Sequence, residues 1–395
     1  MKRIYFYLIT GLVFGFLSCD DKTLDPISPS GGKPGTVTEV EAISAPGGAI
    51  ITYRVPGDKD ILQVKAVYSL TTGRQYEVSA SFYENSLTVT GFNDTLEHEA
   101  LLYAINRAQE LSDPVPVRFI PEESSLSKTA KTVNIISCFG GANFSWINED
   151  EAPLVFELLS QNSQGELQTT RILQSELDSA SVNLRGYASV PQKFALVISD
   201  NWGNTSGAIY PEEGTVTPIQ ENKLDKSIMT FLKLESDQPW NLWGAKEEYM
   251  IDDDVSTFGH TDYSALPAPF TLDLGKSTKL SRMLLFQWLF NNKYYGHGNP
   301  RRFEVYGRTE EPSPNSNWNE WTKIMDCELI KPSGLTGNSV TNEDLIYAEK
   351  GHEFDFPLDL EPVRYLRFNV LGNNWEGQTY THITELTFYG IYVEE

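Results

Sequence analysis

Apolar and polar side chains alternate in short runs along most of the chain, and turn residues punctuate them. Val37 to Ala42, Ala49 to Val55, Leu62 to Leu70, Leu87 to Thr90, Glu99 to Ile105 and Pro114 to Phe119 are such runs. A period of two sends one set of side chains into a core and the other into water. About seven short strands within residues 36–122 predict a β-sandwich. The pattern then repeats. Gly140-Gly141-Ala142-Asn143-Phe144-Ser145-Trp146 stands 93 residues after Gly47-Gly48-Ala49-Ile50-Ile51-Thr52-Tyr53, and Ile198-Ser199-Asp200 lies equally far from Ile105-Asn106-Arg107. A period close to the size of one sandwich predicts a tandem copy over residues 126–221.

After a polar connector, residues 222–237, the composition changes: six of the eight tryptophans lie in residues 238–395. Strands are expected at Phe270–Leu274, Lys279–Trp288, Arg302–Arg308, Trp321–Met325, His352–Phe356, Val363–Leu371 and His382–Tyr389. The loops between them are long and aromatic, and loops on a rigid sandwich are where binding sites are placed.

Residues 1–18 join a basic start, Lys2-Arg3, to an apolar run from Ile4 to Leu17. That is a secretory signal, too short for a lasting membrane span. Phe16-Leu17-Ser18-Cys19 resembles a bacterial lipobox, with Phe16 in place of the usual Leu. The resemblance implies cleavage before Cys19 and acylation of that residue. At about 0.8 kcal/mol per buried CH₂, several acyl carbons make a durable anchor. Asp20-Asp21-Lys22 resembles the export signal of lipoproteins displayed on the outer face of some Gram-negative outer membranes. Residues 19–35, rich in Pro, Gly and Ser, read as a flexible tether. The expected location is the outer membrane, lipid-anchored and facing the cell exterior.

The 395 residues carry a formal net charge of −23, which disfavours nucleic acid and anionic membrane surfaces. Cys138 and Cys327 stand in no metal-type spacing and are expected as buried, unpaired thiols. The chain has no G-x-S-x-G elbow, no H-E-x-x-H and no phosphate-cradling glycine loop. Its many carboxylates leave a divergent glycosidase open by counting alone. The length left beside three β-modules argues against one, and no enzyme is expected.

GGAIITYRVPGDKD and YAINRAQELSDPV resemble a fibronectin type III module, and the second copy resembles it more loosely. MIDDDVSTFGHT, FTLDLG, KLSRMLLFQW, NPRRFEVYGR, VRYLRFNVLGNNW and HITELTFYG resemble, in order and spacing over residues 238–395, a factor V/VIII type C or discoidin-like module. The expected fold is all-β: two tandem immunoglobulin/fibronectin type III-like sandwiches, then a discoidin-like jelly-roll β-sandwich of the galactose-binding-like kind. Taken whole, the chain resembles the multidomain surface lipoproteins of glycan-foraging bacteria. That likeness implies glycan or polysaccharide partners, capture or uptake, and neighbouring glycan-uptake proteins. The alternative is a structural or adhesion lipoprotein that meets a protein partner with the same face.

The resemblance also assigns residues. Many discoidin-like modules hold a structural calcium at the acidic turn, and on this chain Asp252, Asp254, Thr257 and Glu385 take the ligand positions for Ca²⁺. Asp253 replaces the family glycine and Gly259 the family's common Trp. The competing reading is a metal-free turn whose Asp side chains cap backbone N–H groups. A pyranose needs a flat aromatic plus rigid donors and acceptors. The loops at 288–301 and 372–380 supply both, with Tyr295 and Trp375 as platforms. His260, Tyr294, His297, Arg301, Asn374 and Tyr380 stand beside them.

Overall fold

The computed structural model describes residues 31–289, 294–372 and 375–393. The secretory signal, Cys19 and Asn374 lie outside these residues. The chain is all-β, with 47% strand and 8% helix. No helix among the described residues is long and apolar enough to cross a membrane.

The first module holds β1 (Thr38–Ala45), β2 (Gly48–Arg54), β3 (Ile61–Ser69), β4 (Gln75–Ser81), β5 (Ser86–Thr90), β6 (His98–Asn106) and β7 (Val115–Phe119). Sheet β1-β2-β5 faces sheet β4-β3-β6-β7 across a core that includes Ile51, Val64, Val89 and Leu102. The alternation had not marked β4. It is an edge strand on which Tyr76, Val78 and Ala80 turn toward the core, only Ala80 being fully buried.

Helix α1 (Ser125–Thr132) leads into the second module, and the Ser124 hydroxyl caps it by accepting the Ser127 N–H. There follow β8 (Asn134–Cys138), β9 (Gly141–Ile147), β10 (Leu154–Gln161), β11 (Leu167–Ser175), β12 (Ser179–Arg185), β13 (Phe194–Ser199) and β14 (Thr205–Ile209). Sheets β8-β9-β12 and β11-β10-β13-β14 repeat the first module strand for strand. The repeated Gly-Gly has the same cause in both. Gly47 and Gly140 turn the hairpin at φ +60 and +68. A Cβ on Gly48 or Gly141 would sit 1.9 or 1.7 Å from a carbonyl oxygen of the next strand.

The third module contains β15 (Asn222–Lys223), β16 (Thr230–Leu232), β17 (Gly259–His260), β18 (Ala268–Phe286), β19 (Arg302–Arg308), β20 (Thr322–Glu328), helix α2 (Asn342–Glu349), β21 (His352–Asp355), β22 (Val363–Val370), β23 (His382–Ile383) and β24 (Glu385–Tyr392). Its start differs from the expectation. Residues 222–237 are no connector, because β15 pairs with β24 and β16 with β18. The two strands expected at 270–274 and 279–288 are one strand, β18. Its first half pairs with β16 and β22, its second with β24 and β21, so one bent strand serves both layers of the sandwich. Gly275 makes the bend at φ +81, where a Cβ would lie 2.6 Å from the Ile228 carbonyl oxygen.

Both joints between modules are built. Trp202 of the second module packs on the first module's core over Gly91, and Asn204 Nδ2 donates to the Gly91 carbonyl at 3.0 Å. At the other joint Arg185 meets Glu353 and Asp355, while Glu221 holds Arg282 at 2.9 Å. Cys138 and Cys327 are unpaired and buried.

Candidate functional site

At the acidic turn the expected ligands do not converge. Asp252 accepts the Asp254 N–H and the Thr257 hydroxyl, both at 2.9 Å, and Asp254 accepts the Ser256 N–H and hydroxyl. These are Asx-type turn bonds on exposed side chains. Glu385 points elsewhere. One carboxylate oxygen accepts the Asp253 N–H at 2.8 Å and the other the ammonium of Lys226 at 2.5 Å. Lys226 also donates to Asp253 at 2.5 Å and to Thr387 at 2.9 Å. Burial pushes the Glu385 carboxyl up to about 7, against the pull of Lys226 and the Asp253 amide. No group of three or more His, Cys, Asp or Glu side chains among the described residues could hold a metal ion. The residues present therefore do not fit calcium, and Asp252, Asp254, Thr257 and Glu385 are corrected to parts of a turn closed by a lysine. Asp253 takes the left-handed backbone of the family glycine, at φ +64. The Met250 side chain packs against Gly259, where a Cβ would lie 2.8 Å from it.

The aromatic loops do converge. β17 pairs with β23, which sets His260 opposite His382. The His260 ring stacks on Tyr380 at 5.2 Å and 13°, and Tyr263 meets Tyr380 edge-on at 5.1 Å. Trp288 stacks on Phe258 at 4.2 Å and stands perpendicular to His382 at 5.1 Å. His260 Nδ1 lies 2.6 Å from the Thr261 carbonyl. A carbonyl only accepts, so Nδ1 carries the proton and Nε2 of the neutral ring is an acceptor. Burial lowers the His260 pKa, and full burial lowers that of His382 further. Both stay neutral. His297, at φ +54 between Gly296 and Gly298, is half-buried, and its N–H donates to Glu376 at 2.7 Å. Gly298 is required here, since at φ +88 a Cβ would lie 2.6 Å from the Tyr380 ring.

Tyr295 is the second correction. It is fully buried, its hydroxyl donates to the Asp344 carbonyl at 3.2 Å, and its ring meets Trp375 and His352 edge-on. It has no face left for a ligand and serves as a post for the loop. Tyr294 is half-buried, and burial raises its phenol pKa. Trp375 is half-buried, its indole N–H donating to the Pro300 carbonyl at 3.1 Å. With Arg301, Glu328, Ile330, Lys331 and Leu335 it walls a cleft of about 390 Å³. Arg301 is held by Glu328 at 2.9 Å and lies over the Trp375 ring, as does the Lys331 ammonium at 4.9 Å. Glu376 also accepts from Asn338 at 2.8 Å. Three side chains of this end escaped sequence reasoning: Tyr263, 54% exposed, with Lys331 and Glu376. A Tyr three residues after His260, in His260-Thr261-Asp262-Tyr263, was the available signal for the first.

Three family models, each described as a domain of unknown function, match consecutive stretches of the chain: DUF4959 over residues 34–121, DUF5126 over 122–227 and DUF5000 over 238–390. No curated protein matches. Among solved structures, a SusE-like protein is 29% identical over 68% of this chain and 100% of its own, with a TM-score of 0.45. The CBM32-1 module of a family 31 glycoside hydrolase from Clostridium perfringens is 18% identical over 41% of this chain and 93% of its own, with a TM-score of 0.27. An F5/8 type C domain from Bacteroides fragilis is 17% identical over 44% and 98%, with a TM-score of 0.29.

Proposed function

We propose that the chain is a non-catalytic lipoprotein of the cell surface that binds glycan at the loop end of its third module, for polysaccharide capture or uptake. One observation carries the reading: aromatic and hydrogen-bonding side chains from three separate loops meet at one end of the sandwich, on a rigid base of buried rings. Tyr263 and Tyr380 supply apolar ring surface for the C–H face of a sugar. His297 and Arg301 supply polar contacts, His260 is buried beneath Tyr380 and supports its ring, and Trp375 walls the adjoining cleft. Most of the polar groups here are already engaged by backbone or by one another, which suits positioning a ligand rather than moving protons. The anchor and outward location rest on residues 1–18, Cys19 and the acidic residues after it.

Affinity electrophoresis and a glycan array with the chain lacking its first 22 residues test the binding. Tyr263→Ala and Tyr380→Ala should each weaken retention by about 10- to 100-fold, the usual cost of truncating an aromatic anchor. No retention of the wild type on any glycan sinks the proposal. Cys19→Ser should release the protein from membranes into the medium.

A further inference from the structure

We infer that Lys226 is a built-in cation: its ammonium takes Glu385, one of the four residues that the discoidin-like resemblance gives to calcium, and it makes the third module's fold independent of the metal. The geometry assigns the role. The ammonium touches Glu385, Asp253 and Thr387 at 2.5, 2.5 and 2.9 Å, a hard-oxygen set of the kind a divalent ion collects. Its side chain is 7% exposed and that of Glu385 is 3% exposed, so the pair is sealed from water. Lys223 adds a second ammonium on Asp253 at 2.7 Å. Asp253 and Glu385, the two carboxylates the ammoniums touch, are thus each met by a cation of the chain itself.

The chain delivers the lysine by a defined route. β15 pairs Asn222 with Gly390 and Lys223 with Tyr389, and the Leu224 N–H donates to the Phe388 carbonyl. A single 3₁₀ turn, Lys226–Ile228, capped by Asp225, then turns the ammonium toward the first residue of β24, Glu385. A metal would connect the acidic turn only to β24. The lysine connects both to the segment entering from the second module, so the entry of the module and its closing strand share one electrostatic clasp. In the acidic turn itself, the Asp253 N–H closes on Glu385, and the left-handed backbone at Asp253 brings its carboxylate round to the ammonium.

The test is thermal unfolding of the whole chain in chelator and in millimolar calcium, with calorimetric titration of Ca²⁺. The wild type should melt at one temperature in both buffers and take up no calcium. Lys226→Met leaves Glu385 buried without its partner. It should melt on the order of 10 °C lower in chelator, and calcium should restore part of that loss by binding the exposed oxygens. If this variant does not fold, Lys226→Met/Glu385→Gln, which removes both charges, should fold and ignore calcium. A wild-type melting point that falls in chelator and recovers with calcium overturns the inference. So does a Lys226→Met variant as stable as the wild type, or a double variant no more stable than the single one.

Discussion

Two tyrosines on neighbouring loops show how one residue type takes opposite roles. Tyr295 follows Tyr294 in a loop that reads as sugar-binding, yet it is fully buried against Trp375 and His352; Tyr263 is 54% exposed beside Tyr380. Tyr295→Ala should therefore cost about 3–5 kcal/mol in urea unfolding, as other large buried rings do. Tyr263→Ala should leave stability within about 0.5 kcal/mol and act on glycan retention alone. A Tyr295→Ala chain of wild-type stability would put its ring on the surface. His352 gives a pH dependence of definite sign. Burial among the rings of Tyr295 and Tyr347 pulls its pKa down to about 4, and its Nε2 has no hydrogen-bond partner among the described residues. In the unfolded chain it titrates near 6.5, so between pH 6.5 and 4 the unfolded state binds a proton that the folded state refuses. Stability is lost as pH falls through that window, by about 3 kcal/mol in full. His352→Phe should lose less stability than the wild type between pH 7 and pH 4, by about that amount. Equal losses in the two chains would show that His352 is not the group responsible.

At the scale of elements, legibility followed burial. Strands with one buried face, such as β2, β3, β6 and β22, were plain in the sequence because water and core impose a period of two. β4 has only one fully buried side chain, Ala80, and α1 and α2 are short helices whose presence rests on caps at Ser124 and Thr341. The two short strands that precede residue 238 were hidden in the same way. Asn222 to Asp237 reads as polar linker because β15 is two exposed residues and β16 is only three residues long, too short to show a side-chain period. Lys226 sits in that stretch, which is why the acidic turn looked like a metal site from sequence: its cation lies 27 residues away from Asp253 in a segment that seemed to do nothing. The aromatic end was legible as composition but not as orientation, since alternation cannot say which ring of a loop points inward. The bend in β18 is a sharper case. FTLDLG ends in Gly275 because the chain there needs φ +81 and passes the Ile228 carbonyl at van der Waals contact. Gly275→Ala should lose about 1–3 kcal/mol, seen as a lower urea midpoint with an unchanged slope. A neutral substitution would mean that the two halves of β18 can bend elsewhere.

Across the whole molecule, the two joints decide whether three modules behave as beads on a string or as one rod. Modules linked within a chain usually move relative to one another unless their interface is large or specifically bonded. Here each joint is bonded. Trp202 plugs the first, with Asn93 also receiving the hydroxyls of Ser124 and Ser127 from the approach to α1. The second joint is a network rather than a lone pair. Arg185 reaches Glu353 and Asp355, Asn183 donates to Asp355 at 2.8 Å, and Arg282 stands between Glu221 and Glu353 with its guanidinium over the Tyr389 ring at 3.9 Å. Burial alone would raise the Glu221 carboxyl, but Arg282 and Ser281 hold it below the usual range. Because Arg185 and Arg282 are each 17% exposed and Glu221 12%, salt screens this network less than a surface pair. Glu221 directly precedes β15 and Arg282 pairs with Tyr389 of β24, so the second module is fixed to the same wall of the third that β15 and Lys226 close. Arg185→Met removes the two ion pairs to Glu353 and Asp355 across the joint while leaving both module cores intact. Calorimetry of the wild type should show the second and third modules melting together, and the variant should resolve them into two transitions. Small-angle scattering should show a larger and broader radius of gyration for the variant at the same salt. Transitions and scattering identical in the two chains would mean that the joint is held elsewhere, and that the loop end of the third module is aimed by contacts other than this network.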